Sequence, residues 1–253
     1  DGTFPFQHVI LDEGQDFGRE EIDEVEIINI LKELTVESKK QNGTFYLFYD
    51  KNQMVQSTVI PDYIKNAECK LTLYRNCRNT ENIALTSLRF LGLEKSPKLY
   101  PDAVVGEHPE IGICTDENET IMLLNAEIDK YIDAGYNDVT ILTCKTEESS
   151  IIAECCKDSR YRYKRGYVRF TTCRKFKGLE SDVIIIVDID KKSFDEEGRM
   201  LMYVGTSRAK FKLSCIINMS EDECIEIMRE RNVKPNRNIR KSFATFFNSK
   251  IVQ

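Results

Sequence analysis

Long apolar runs are what this sequence most plainly lacks. Runs such as residues 183–187 fall far short of the roughly 20 residues that a bilayer-crossing helix needs, so no membrane span is expected. Cysteine pairs at metal-binding or redox spacing are missing too. The nine cysteines are an odd number, show no C-x-x-C spacing, and several lie in apolar stretches. Disulfide frameworks and zinc clusters are thereby disfavoured, and reduced thiols in a cytoplasmic setting are expected. No repeat or low-complexity tract interrupts the chain. It opens Asp1-Gly2 without an initiator Met and without a charged-then-apolar leader, which predicts a fragment rather than a complete or secreted product.

What is present is enough for one large or two modest α/β domains: 253 residues, 41% of them hydrophobic. The formal charge of -6 argues against indiscriminate nucleic-acid binding, yet the charge is unevenly spread. Residues 12–37 carry ten acids, whereas residues 157–177 carry nine basic residues against one acid, Asp158. A polyanion would meet the second segment.

Five short apolar runs, residues 9–11, 45–49, 111–114, 139–143 and 183–187, read as buried strands, the last rich in β-branched side chains as fully covered parallel strands are. Helical spacing separates them. Residues 20–39 place Ile22, Val25, Ile28 and Leu31 on one face, and residues 118–131 do so with Ile121, Leu124, Ile128 and Tyr131. The alternation predicts an α/β fold with parallel sheets and flanking helices. In such sheets ligands gather where strands end, so the residues just after each run are the first candidates. A domain boundary is expected after residue 66, near Pro61, and residues 232–253, with Arg237, Arg240 and Lys241, read as a basic tail.

Five segments stand out. The first strand runs into Asp12, Glu13, Gly14, Gln15 and Asp16. Two adjacent carboxylates at a strand end suit a phosphate-hydrolysing site, one holding Mg²⁺ through water and the other accepting a proton from the attacking water; an acidic helix start is the lesser alternative. The second strand leads to Asp50, Lys51, Asn52 and Gln53, where an amide could sense a phosphate or simply occupy a turn. Residues 73–79 offer Arg75 and Arg78 before a helical stretch, where guanidinium groups could reach phosphate oxygens or equally form a surface salt bridge. Residues 171–182, basic and then Gly178, Leu179, Glu180, Ser181 and Asp182, precede a strand; a solvated basic loop is the plain alternative. Residues 203–210 carry Arg208 on a helix turn feeding the apolar run 213–217.

In this order the five segments resemble the UvrD/Rep type of superfamily 1 helicases. Residues 12–15 resemble the family's DExQ Walker B motif and residues 50–53 its third motif. Residues 73–79 are similar to LxxNYR, residues 172–182 to TxHxxKGLEFD and residues 203–209 to YVALTRA. The resemblance implies a RecA-like, P-loop NTPase type of fold: residues 1–66 as the remnant of a first motor domain and residues 67–231 as a second. It implies ATP and Mg²⁺ as cofactors, with Asp12 on the metal, Glu13 activating water and Gln53 contacting the γ-phosphate. Arg78 and Arg208 would be arginine fingers. Gln15, Gly178 and Glu180 would lie near the nucleotide, and Thr172, Arg174 and Lys175 would face single-stranded DNA, with RNA as the other candidate. Departures restrict it. No Gly in the chain is followed by Lys, so GxxxxGK[ST] is absent and belongs to an upstream part of the same polypeptide, without which hydrolysis is not expected. Cys77 replaces the motif's Tyr, Arg174 its His, and the base-stacking aromatics that the third motif carries just after its Gln are missing after Gln53.

The expectation is therefore the carboxyl-terminal part of a cytoplasmic ATP-dependent DNA helicase or translocase. A non-catalytic helicase-like module holding nucleic acid or a protein through residues 157–177 is the alternative. A metal nuclease built on Asp188, Asp190 and Lys192 is a third class.

Overall fold

A computed structural model of the chain describes residues 5–14, 22–37, 43–50, 62–73 and 75–252. It divides into two units, Asp1–Thr72 and Leu73–Gln253, six residues beyond the boundary expected from Pro61. Among the described residues no helix is long and apolar enough to cross a membrane.

In the first unit, β1 (His8–Leu11) and β2 (Thr44–Leu47) pair in parallel, His8 opposite Thr44 and Leu11 opposite Leu47. Between them lies α1 (Ile22–Lys32). The helix expected over residues 20–39 departs from α geometry at Glu33–Glu37, a π-helical turn. Thr35 explains the change: its buried hydroxyl donates to Leu31 O at 2.8 Å and Lys32 O at 3.3 Å, competing for the carbonyls of the preceding turn. A Cβ at Gly43 would lie 2.2 Å from Gln7 O and 2.3 Å from Thr35 O, so the entry into β2 admits no larger residue. A short helix, α2 (Asp62–Lys65), follows.

The second unit is built from α3 (Glu81–Leu91), β3 (Glu110–Cys114), α4 (Glu117–Asp133), β4 (Val139–Thr143), β5 (Cys156–Lys157), β6 (Arg160–Tyr163), β7 (Gly166–Thr172), β8 (Ser181–Ile189), α5 (Glu196–Thr206), β9 (Ala209–Asn218), α6 (Glu221–Glu230), α7 (Ile239–Phe246) and β10 (Lys250–Val252). The strands form one sheet in the order β10-β3-β9-β8-β4-β7-β6-β5. Pairing is parallel from β10 to β7, and β6 and β5 add antiparallel at the edge. The parallel α/β class read from the alternation is thus present.

Burial follows the pattern. Val183, Ile184, Ile185, Ile186 and Val187 of β8 are fully enclosed, and each such side chain contributes about 1.5–3 kcal/mol relative to exposure. Asp116 caps α4 by accepting from Glu119 N at 2.9 Å. Leu124, Ile128 and Tyr131 of that helix share one apolar cluster with alternate residues of the sheet, among them Ile141, Phe170, Val183, Ile185 and Val187.

The basic segment 157–177 contains the β6–β7 hairpin, whose alternate residues Tyr161, Val168 and Phe170 are buried. One reading needs correction. Residues 232–253 are not a tail: α7 packs inward and β10 pairs with β3. The cause is an aromatic cluster that outweighs the local charge. Phe247 stacks on Phe90 at 4.4 Å between centroids, and Phe243 meets Phe194 edge-on at 5.8 Å.

Candidate functional site

In the first unit β1 delivers Asp12 and Glu13 to the carboxyl end of the strand. Asp12 is exposed, and its Oδ1 accepts from Glu13 N at 2.9 Å. Glu13 has φ +53°, the left-handed region, so the chain turns sharply at the acid. Gly14 follows, its N donating to Phe48 O at 2.7 Å, which ties the turn to the end of β2. One carboxylate suits Mg²⁺, which keeps most of its waters and takes one or two protein ligands. Gln15 and Gln53 lie outside the described residues.

The second unit brings Arg78, Glu180 and the turn carrying Arg208 together, although they are far apart in sequence. Arg78 Nε donates to Glu180 Oε2 at 2.8 Å, an ion pair open to solvent on both sides. Gly178, at φ +82°, ends the turn after β7 in a conformation that other residues rarely adopt, and so places Glu180 at the start of β8. Arg208 is 2% exposed, and its Nε donates to Val204 O at 3.1 Å, one helical turn back. Asn79 links the two arginines: its Nδ2 donates to Ser207 O at 3.0 Å and to Ala209 O at 2.5 Å, the residues on either side of Arg208. Asn76 organises the same loop, its Oδ1 accepting from Arg78 N at 2.9 Å and Asn79 N at 3.1 Å. Two residues after Arg208, the Asp182 carboxylate holds Lys210 above the usual lysine range through a 2.6 Å ion pair.

Glu180 and Arg208 lie just before β8 and β9, positioned by the turns that enter those strands, whereas Thr172, Arg174 and Lys175 end or follow β7. Thr172 Oγ1 accepts from Lys175 N at 3.1 Å. Arg174 pairs with Glu197, and Lys175 pairs with Glu147 at 3.1 Å. Sequence reasoning missed Asn79. The signal available was a second asparagine immediately after the arginine of the LxxNYR-like segment.

The Asp188, Asp190 and Lys192 array does not converge. Asp188, 1% exposed, accepts from Thr143 Oγ1 and Ser150 Oγ, both at 2.6 Å, and from Ile151 N at 2.9 Å. Asp190 instead caps the turn after β8 through Lys192 N at 2.9 Å. Among the described residues no group of three or more His, Cys, Asp or Glu is placed to hold a metal.

The strands and turns that carry Thr172, Gly178, Glu180 and Arg208 form a continuous stretch, and that stretch has a match. Residues 167–215 match the family model of the UvrD-like helicase C-terminal domain. The UvrD-like segment runs from β7 into β9 and includes Asp182 and Lys210, whereas Arg78 and Asn79 lie outside it. A solved structure of the C-terminal domain of a possible DNA helicase from Lactobacillus plantarum WCFS1 is similar at 16% identity and a TM-score of 0.43, over 56% of this chain and 87% of that one. The PRRSV helicase is similar at 15% identity and a TM-score of 0.44, over 86% of this chain and 36% of that one. No curated protein matches the sequence.

Proposed function

We propose that the chain is part of an ATP-dependent helicase or translocase that moves along single-stranded nucleic acid, DNA in the first instance. The observation that carries this reading is the joining of Arg78, Glu180 and the Arg208 turn through Asn79, with Glu180 and Arg208 inside the UvrD-like segment. Bound Mg²⁺-ATP would supply the phosphoryl transfer. The roles of this chain's residues would then be electrostatic and, at Glu13, general-base. Asp12 would hold the metal and Glu13 would take the proton of the attacking water. Arg78 exchanges Glu180 for a phosphate oxygen, an exchange that costs little because an exposed ion pair is worth at most about 1 kcal/mol. Arg208, its guanidinium plane fixed by Val204 O, stabilises charge on the transferring group.

The 253 residues contain no GxxxxGK[ST], so the chain alone is expected to leave ATP unhydrolysed. The test compares this chain with a longer product of its gene that includes such a loop, assaying phosphate release with and without single-stranded DNA. DNA-stimulated release by the longer protein, falling about 10³-fold in Arg208→Ala, is expected. Full turnover in that variant, or in Glu13→Gln, would refute the assigned roles. The alternative, a non-catalytic binding module, is favoured by the uncompensated basic face described next. Nucleic-acid binding with no hydrolysis in the longer protein would establish it.

A further inference from the structure

The β6–β7 hairpin has two unlike faces. Tyr161, Val168 and Phe170 join the core with Leu124 and Ile128 of α4. The opposite face holds the alternate residues. Register places Arg169 opposite Arg160, and Arg160 opposite Lys157 of β5, so three cations cross three adjacent strands in one row. Strands lie about 4.8 Å apart, which keeps these charges close together. In the adjoining row Arg162 stands opposite Tyr167, which is 54% exposed. The Arg160 guanidinium lies 5.4 Å from the centre of the Tyr167 ring.

Like charges directly opposite one another in a sheet are destabilising, and acids ordinarily offset them. At the hairpin turn they do: Lys164 pairs with Asp129 at 2.6 Å, and Arg165 pairs with Asp129 at 2.8 Å and Asp133 at 2.7 Å. On the Tyr167 face they do not. Among the described residues no carboxylate forms an ion pair with Lys157, Arg160, Arg162 or Arg169, and Asp158 in the β5–β6 turn does not reach them. The cations that the helicase resemblance assigns to nucleic acid, Arg174 and Lys175, are instead paired with Glu197 and Glu147.

We propose that this hairpin face binds single-stranded nucleic acid, with Lys157, Arg160, Arg162 and Arg169 on backbone phosphates and a base stacked on Tyr167. Charge alone would serve any polyanion. An exposed ring among guanidinium groups adds a flat apolar surface that suits an unpaired base, whereas an acidic peptide has no use for it. The proposal rests on the nucleic-acid reading above but not on ATP hydrolysis.

The test uses the 253-residue chain and a fluorescent oligothymidylate of about 20 nucleotides, long enough to span such a site, with binding followed by anisotropy across a salt series. Tyr167→Ala is expected to weaken binding about tenfold and Tyr167→Phe to restore it. Replacing Lys157, Arg160 and Arg169 together by Gln is expected to flatten the slope of log affinity against log salt by about two. Unchanged far-UV circular dichroism keeps the comparison valid, and these exposed positions should tolerate substitution. Wild-type affinity retained in both the alanine and the glutamine variants overturns the hairpin proposal while leaving the nucleic-acid reading intact. No binding by the wild-type chain overturns both. Equal competition by polyglutamate, together with an indifferent Tyr167→Ala, would mark the face as a site for an acidic protein and overturn the proposal.

Discussion

Asn79 offers the sharpest test of how the arginine-bearing loops are held. Its side chain is 5% exposed, and its amide nitrogen faces two backbone carbonyls, Ser207 O and Ala209 O. Only the NH₂ end can satisfy both. Its Oδ1 must then face Asn76 Nδ2, which lies 2.7 Å away, so the network fixes the orientation of the amide. Asn79→Ala removes three hydrogen bonds, each worth about 1 kcal/mol net, and strands buried acceptors whose desolvation adds to the loss. A destabilisation of about 2–4 kcal/mol follows. Asn79→Asp should be worse at neutral pH, because it directs carboxylate oxygens at two carbonyl oxygens. Asn76→Ala, at a half-buried position that water can reach, should cost nearer to about 1 kcal/mol. Urea denaturation followed by far-UV circular dichroism measures all three. An alanine variant within about 0.5 kcal/mol of wild type, or an aspartate variant as stable as wild type at neutral pH, would show that Asn79 does not join the loops.

Two further outcomes follow. Glu127 of α4 is almost fully buried and accepts from Ser214 Oγ and Lys130 Nζ, and burial raises its carboxyl above the ordinary glutamate range. The folded protein therefore binds a proton that the unfolded chain releases, so stability should fall as pH rises from the ordinary glutamate value through the raised one. Glu127→Gln should flatten that part of the pH–stability profile, and an unchanged slope would contradict the assignment. Phe247→Ala should destabilise the second unit by about 3–5 kcal/mol in thermal or urea unfolding, because its ring is fully enclosed between Phe90 and Phe243. A loss below about 1 kcal/mol would mean that residues 232–253 pack loosely after all.

The central strands were legible because their burial shows directly as apolar runs: Val139–Thr143 coincides with its run, and the run at 183–187 lies within Ser181–Ile189. The hairpin was harder. Arg160, Tyr161, Arg162 and Tyr163 alternate with period two, but the density of charge hides the pattern, since one face of a strand near the sheet edge can remain wholly cationic. Residues 232–253 look like a tail because three phenylalanines count for more than the neighbouring arginines only once α3 is present to receive them. Of the candidate site, the residue types and their order were legible. The Arg78–Glu180 pairing and the Asn79 link were not, because they depend on tertiary contacts across more than a hundred residues. The left-handed turn at Glu13 was likewise invisible, since nothing in a glutamate signals it.

The strand order also bears on how the chain comes off the ribosome. β8 and β9 sit between β3 and β4, yet both are synthesised after them. Roughly 95 residues separate the end of β3 from the start of β9, which at typical elongation rates is about 5–20 seconds of translation. Throughout that interval β3 waits with both edges unpaired, whereas β4 gains β7 and then β8 before β9 is made. The nascent polypeptide must be shielded from its own copies until the middle of the sheet arrives.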